Sequence, residues 1–291
     1  MRYEGDIYRP PSEARSLILQ ATVGCSHNKC TFCLMYKQKK YRVKDMAEIK
    51  QDVEYAAQRA PHTKRIFLAD GNALAIETPQ FLQILDLLAA KFPQLERVSV
   101  YGNPQDLLDK SVAELAELRN HGLGLVYLGV ESGSAAVLQA VKKGATPDDM
   151  AAGAAKSKQA NLPLSITVIN GLAGKEGMED HALETARLLN RMDPEYLGLL
   201  TLMVYPPAPI YRRIEAGELT MLTADEIMQE ILMMVRNLEL TNCVFRANHA
   251  SNYLPLKAVL SPDKEQLVST IEGILSKDTR GVYRQEWMRG L

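Results

Sequence analysis

The alternation of short apolar, β-branched runs with amphipathic helical runs is the feature that most constrains this 291-residue chain. Strands are expected at "SLILQATV" (16–23), "RIFLAD" (65–70), "RVSVYG" (97–102), "LVYLGV" (125–130), "LSITVING" (164–171), "YLGLLTLMV" (196–204) and "CVFRAN" (243–248). Several are apolar on consecutive residues, as parallel strands covered on both faces must be. The segments 46–60, 78–92, 105–121, 134–143, 147–160, 178–192, 223–240 and 263–276 read as helices. "SAAVLQAV" and "TPDDMAAGAAK" each open on a capping residue, and Pro147 stands where a first helical residue would. Strand, helix and strand repeated this often require right-handed crossovers and a parallel sheet, barrel-like or doubly wound.

Such a sheet says where function sits, because ligands bind at the carboxyl ends of its strands. The segments after the expected strands are "GCSHNKCTFC", "DGNAL", "GNPQD", "ESGS", "NGLAGKEG", "YPPAP" and "NHASNY". One pocket lined by all seven is the simplest expectation. With 46% apolar residues the chain can bury one sizeable core, and it shows no linker, low-complexity tract or internal repeat. The expected organisation is a core over residues 1–205 with 206–291 as an extension packed on the same domain. With 34 basic against 35 acidic residues, nucleic acid is a disfavoured partner. No apolar run is long enough to span a bilayer and "MRYEGDIYRPPSEARS" lacks the apolar stretch of a signal peptide, so the protein is expected to be cytoplasmic without a membrane partner.

Three of the four cysteines, Cys25, Cys30 and Cys33, crowd the loop after the first strand with spacing C-x4-C-x2-C, and Cys243 lies far away. In a reducing compartment such a cluster points to metal rather than disulfides. Three thiolates from one loop can hold three irons of a cubane and leave the fourth iron open for a ligand. A structural zinc site using these cysteines with His27 or Cys243 is the alternative, as an α/β binding module without radical chemistry. The loop "VFRANHASNYLPL" gathers Arg246, Asn248, His249, Ser251, Asn252 and Tyr253 at one strand end. Arg246, Asn248, His249 and Asn252 are candidate substrate residues, with His249 an acid/base group or metal ligand; a lid of local Asx turns is the plainer reading. "YKQKKYRVK" (36–44) carries five basic residues, either a solvated run or a dock for an acidic electron donor or anionic substrate.

Together the cysteine loop and strand-end motifs resemble the radical S-adenosylmethionine (SAM) superfamily over roughly residues 15–205. The match is to the general iron–sulfur oxidoreductase core seen in Elp3 and oxygen-independent coproporphyrinogen oxidases, with four rather than the common three residues between the first two cysteines. The resemblance implies a partial (β/α)6 TIM-like barrel in which Cys25, Cys30 and Cys33 bind a [4Fe-4S] cluster, with Phe32 as the aromatic residue before the third cysteine. It places Asp70, Gly71 and Asn72 where the family meets the SAM amino group. Glu131 and Ser132 fall where the ribose or methionine carboxylate is held, and Asn103 is a further ribose partner. Ile169 and Gly171 would pack on the adenine. It further implies a one-electron reductant such as flavodoxin or ferredoxin, and reductive cleavage of SAM to a 5′-deoxyadenosyl radical that takes hydrogen from a small-molecule substrate.

Overall fold

The computed structural model describes residues 1–276 and 282–290, so residues 277–281 and 291 of the expected extension lie outside the described residues. In chain order the elements are β1 (Leu17–Gln20), β2 (Thr22–Val23), β3 (Arg42–Val43), α1 (Met46–Arg59), β4 (Arg65–Ala69), α2 (Thr78–Lys91) and β5 (Arg97–Gly102). There follow α3 (Pro104–Asp109), α4 (Val112–Asn120), β6 (Leu123–Glu131), α5 (Ala135–Ala140), α6 (Pro147–Gln159), β7 (Leu164–Asn170) and α7 (Met178–Met192). The chain ends with β8 (Tyr196–Thr201), α8 (Pro209–Glu215), α9 (Ala224–Arg236), β9 (Cys243–Arg246), β10 (Lys257–Leu260) and α10 (Lys264–Leu275). Eight of these strands form one mostly parallel sheet, which is the expected α/β class.

The chain divides into two compact units: Met1–Asn28, Cys33–Leu128 and Ala152–Leu164 in the first, and Lys29–Phe32, Gly129–Ala151 and Ser165–Leu291 in the second. In the first, β1, β4, β5 and the start of β6 pair in parallel. Every residue of β4 after Arg65 is buried, which is why its sequence is continuously apolar rather than alternating. Phe67, Ala69, Leu125 and Tyr127 form a core to which Tyr101 adds an edge-on contact with Phe67, ring centroids 5.0 Å apart. Fully buried Glu13 accepts hydrogen bonds from the Tyr127 hydroxyl and the Arg97 guanidinium, both at 2.7 Å. In the second unit β8 pairs in parallel with β7 and β9, and β10 closes antiparallel on β9.

Capping residues set the helix starts. Asp45, Ser111 and Thr223 each form a reciprocal box with a glutamate three residues on, opening α1, α4 and α9. The box at Ser111 is also why the single helix expected over 105–121 is two, α3 and α4. The first expected strand breaks at Ala21, whose amide bonds to Ala69 while β2 leaves to pair with β3. The last expected strand stops at Arg246 rather than 248. Three short elements escaped the sequence reading: the two-residue β3, α8, whose Pro209 occupies a first-turn position, and the four-residue β10.

Candidate active site

In the first unit the cysteine loop leaves β2 through Gly24 and is gripped by the segments that follow β4 and β5. Gly24 N–H donates to Asp70 Oδ2 at 3.1 Å, and Gly71 N–H donates to the Gly24 carbonyl at 3.0 Å. A Cβ on Gly71 would stand 2.7 Å from Cys25 Cβ and 2.8 Å from the Gly24 carbonyl, so only glycine allows this approach. Asn72 is fully buried and clasps Ser26 twice: its Oδ1 accepts the Ser26 amide at 2.9 Å, and its Nδ2 donates to Ser26 Oγ at 2.7 Å. The same Nδ2 reaches both oxygens of Asp106, at 3.1 and 3.0 Å. Asp106 also accepts the Asn103 amide at 2.8 Å, and Asn103 Nδ2 lies 3.8 Å from Cys25 Sγ, in hydrogen-bond range of sulfur. Burial pushes the Asp106 carboxyl up to about 6, against the pull of its amide donors.

Four of the five cations of the basic run are paired within the chain, and Lys40 is exposed. Lys39 Nζ bonds to Asp70 Oδ2 at 2.7 Å, Lys37 Nζ to the Asn28 carbonyl at 2.8 Å, and Arg42 to Glu48 and Glu4. Lys44 is buried, with its ammonium on the Arg2 carbonyl at 2.7 Å and Asp52 at 3.3 Å. Four of the five cations thus hold this region together.

In the second unit the backbone of Thr31, beside half-buried Phe32, is anchored by Val141 and Ile210 at 2.9 and 3.1 Å. Glu131, last residue of β6, has a left-handed φ of +67° and lies beside Lys143, whose ammonium donates to its Oε1 at 3.0 Å. A non-glycine residue held at positive φ needs surroundings that enforce it, and such residues gather at functional sites. Ser132 is fully buried, with its Oγ 2.8 Å from His181 Nδ1 and accepting the Ser134 amide at 3.0 Å. Gly171, at φ +79°, donates its amide to Glu230 Oε1 at 2.8 Å, and that oxygen lies 3.7 Å from His181 Nε2. Ser132, His181, Glu230 and Asn170 are all without solvent exposure. Burial lowers the His181 imidazole to about 4 and raises the Glu230 carboxyl to about 8.

The family model for the radical SAM superfamily matches residues 19–189, more than half of the chain. The chain belongs to the radical SAM superfamily. It is 25% identical over 214 residues to the tRNA-2-methylthio-N(6)-dimethylallyladenosine synthase of Chloroherpeton thalassium, covering 72% of this chain and 47% of that protein. It is 26% identical over 256 residues to the synthase of the same name from Trichlorobacter lovleyi, covering 84% of this chain and 55% of that protein. The chain therefore spans about half the length of the curated relatives it matches. Among solved structures it shares a fold with coproporphyrinogen III oxidase (HemN) from Escherichia coli, at TM-score 0.56 and 17% identity over 76% of this chain and 52% of that one. Methylornithine synthase (PylB) is similar at TM-score 0.53 and 14% identity, over 77% and 63% of the two chains.

Like the rest of the superfamily, this radical SAM protein is an enzyme that uses a [4Fe-4S] cluster and SAM. Its donor set fits a cubane: three half-buried thiols on one loop, one with an amide donor near its sulfur. Among the described residues no three His, Cys, Asp or Glu side chains are placed to hold a single ion, which three thiols serving three separate irons need not do. The zinc-module alternative is not favoured by the family match. Cys243 is buried in β9 with its thiol pushed up to about 12 by burial, as an inert core residue would be. No helix among the described residues is long and apolar enough to cross a membrane.

The residues expected around the substrate divide. Arg246 is exposed on β9 with its guanidinium turned back to the Phe245 carbonyl at 2.8 Å, and Asn248 is exposed. Asn252 is buried and spends its amide on the Leu199 carbonyl and the Thr201 hydroxyl, stapling the loop to the end of β8. His249 is half-buried; its Nδ1 is engaged by Ser251, and its pKa is lowered by burial and by Arg284. Arg289 lies over the Tyr253 ring at 3.9 Å and bonds to the Ser251 carbonyl at 2.7 Å. Sequence reasoning missed Asp106, Lys143, His181 and Glu230. For His181 and Glu230 the available signal was a titratable residue on the apolar stripe of an amphipathic helix, as Glu230 is among Ile227, Ile231 and Met234.

Proposed function

We propose that Cys25, Cys30 and Cys33 hold the cluster of a SAM-cleaving enzyme whose substrate is a small molecule. When bound, the cluster supplies one electron that splits SAM into methionine and a 5′-deoxyadenosyl radical able to take a substrate hydrogen atom. The residues of the chain hold and orient. Gly71 lets the segment after β4 lie against Cys25, and Asn72 fixes Ser26 beside it. The observation that carries the reading is this grip on a three-thiol loop by residues 70–72, the segment expected to meet SAM. Phe32, Asn103, Glu131, Ser132, Ile169 and Gly171 would contact the nucleoside or methionine parts, with Lys143 balancing the Glu131 charge. His249 is the strongest of the four expected substrate groups, because Asn252 acts on β8 and Arg246 and Asn248 are exposed. A one-electron donor such as flavodoxin or ferredoxin would reduce the cluster.

The test is anaerobic reconstitution with iron and sulfide, followed by dithionite and SAM. The expected result is cubane stoichiometry and release of 5′-deoxyadenosine, both abolished in Cys30→Ala. Absence of bound iron in the wild type would overturn the reading. The names of the curated relatives favour a second reading, methylthio transfer to a tRNA base. A net charge of −1 and a basic run whose cations are mostly paired weigh against it. Formation of a methylthiolated base when tRNA and a sulfide source are added would decide for the second reading.

A further inference from the structure

His181 on α7 and Glu230 on α9 belong to no motif, yet they join two loops assigned to SAM. Ser132 Oγ hydrogen-bonds with His181 Nδ1 at 2.8 Å and the Gly171 amide donates to Glu230 Oε1 at 2.8 Å, while His181 Nε2 packs 3.7 Å from that oxygen without a hydrogen bond. We propose that Glu230, by accepting the Gly171 amide, is a positioning residue that fixes the Ile169–Gly171 loop for SAM. This deepens the function proposed above and rests on that loop and Ser132 meeting SAM.

Serine, histidine and glutamate in sequence resemble a hydrolytic triad, but the likeness is formal. A nucleophilic serine must reach substrate, whereas Ser132 has no exposure and its oxygen already accepts the Ser134 amide. What the arrangement can do is hold backbone. Ser132 follows β6, Gly171 follows β7, and the two side chains between them come from different helices. The Gly171 amide is an obligatory donor in a buried place, and Glu230 gives it its partner. Gly171 has a left-handed φ, and an added Cβ would meet Ile227 Cδ1 of α9 at 3.0 Å, so α9 packs directly on the loop. The pair carries no net charge near neutral pH, since burial keeps the imidazole deprotonated and the carboxyl protonated. A neutral amide should therefore replace the carboxyl.

The experiment measures SAM binding by equilibrium dialysis to cluster-loaded, unreduced protein, with iron content and circular dichroism on the same samples. Glu230→Leu removes the acceptor and is expected to weaken SAM about tenfold or more while iron content stays unchanged. In steady state the loss should appear in KM for SAM, with kcat at saturating SAM preserved. Glu230→Gln is expected to bind SAM close to wild type. His181→Leu should fall between them. A folded, fully loaded Glu230→Leu that binds SAM as wild type does overturns the proposal, as does Glu230→Gln failing as badly as Glu230→Leu. Should Glu230→Leu not fold, Glu230→Met decides: SAM affinity equal to wild type overturns the proposal, and weakened affinity with full iron supports it. Ile169→Ala tests the underlying reading separately, since unchanged SAM affinity there would remove the loop from the SAM site whatever Glu230 does.

Discussion

Asp106 and Glu230 are both buried carboxyls behind a candidate cofactor loop, and they solve burial in opposite ways. Asp106, in the first unit, has amide donors on both oxygens, from Asn72 and from the Asn103 backbone. Its pKa is raised only to about 6, so it is mostly ionised at neutral pH. Glu230, in the second, has one amide donor, from Gly171, and its Oε2 has no partner. Its pKa rises to about 8 and it keeps its proton. Burial raises both, and the Asn103 and Asn72 donors with the Lys110 charge hold Asp106 lower than Glu230. The cysteine loop is thus braced by a polar network whose carboxylate is matched on both oxygens. Orphan atoms remain in both regions, on Asp70 Oδ1 beside the cysteine loop, and around Glu230 on its own Oε2, on His181 Nε2 and on both ends of the Asn170 amide. Buried polar atoms without partners are costly and rare.

The braced region is expected to be the more brittle of the two. Gly71→Ala should have the largest effect, because its Cβ would overlap backbone atoms of Gly24 and Cys25 that cannot rotate away. A destabilisation of about 3 kcal/mol is expected, with loss of cluster uptake. Urea melts of the apo protein and iron analysis after reconstitution measure both. Next comes Asp106→Asn, which turns an amide towards a donor that an oxygen now accepts and should cost about 2 kcal/mol. Glu230→Gln, which replaces a protonated carboxyl with a neutral isostere, should cost much less. If the two amide variants lose equal stability, the contrast in charge state fails.

How much of this was legible in the sequence follows the same division. Parallel strands buried on both faces leave continuous apolar runs, so "RIFLAD" and "LSITVING" announced β4 and β7 within a residue or so. Cysteine spacing carries its chemistry openly, and so does a turn such as Asp70–Gly71–Asn72. Short elements without periodicity, α8 and β10, stayed hidden because seven and four residues are too few to show a repeat. The partners of the motif residues were hidden for a different reason. Lys39 reads as a surface cation until its ammonium is seen on Asp70, and His181 reads as an ordinary helix residue until Ser132 is beside it. Pairing across long sequence distances leaves no local pattern.

A pH titration of stability sharpens the comparison at smaller amplitude. Glu230 titrates near 8 when folded and at the ordinary 4.5 when unfolded, so the folded state holds an extra proton between those values. Stability from this group is therefore present at low pH and lost as pH rises through the window. His181, near 4 folded and 6.5 unfolded, has the opposite sign, and its contribution is lost as pH falls through its own window. The two slopes oppose below 6.5, and only the Glu230 slope remains above it. Relative to Glu230→Gln, the wild type should lose about 1–2 kcal/mol between pH 6.5 and pH 8. Parallel unfolding curves for the two proteins across that range would show that Glu230 is already ionised.

The smallest expected effect is also the most diagnostic for the braced region. Asn103 entered as a ribose partner, yet its side-chain amide lies 3.8 Å from Cys25 Sγ. A hydrogen bond to a cluster thiolate favours the reduced, more negative state, so removing it lowers the reduction potential. Taking the bond as worth about 0.5–1 kcal/mol, Asn103→Leu should move the potential about 20–40 mV more negative at 59 mV per tenfold change for one electron. An EPR-monitored redox titration reads this shift, and SAM affinity measured on the same sample separates the two roles. A lowered potential with unchanged SAM binding assigns Asn103 to Cys25. An unchanged potential with weakened SAM binding returns it to the ribose, because a side chain reaching the nucleoside acts on affinity and leaves the electronics of the cluster alone.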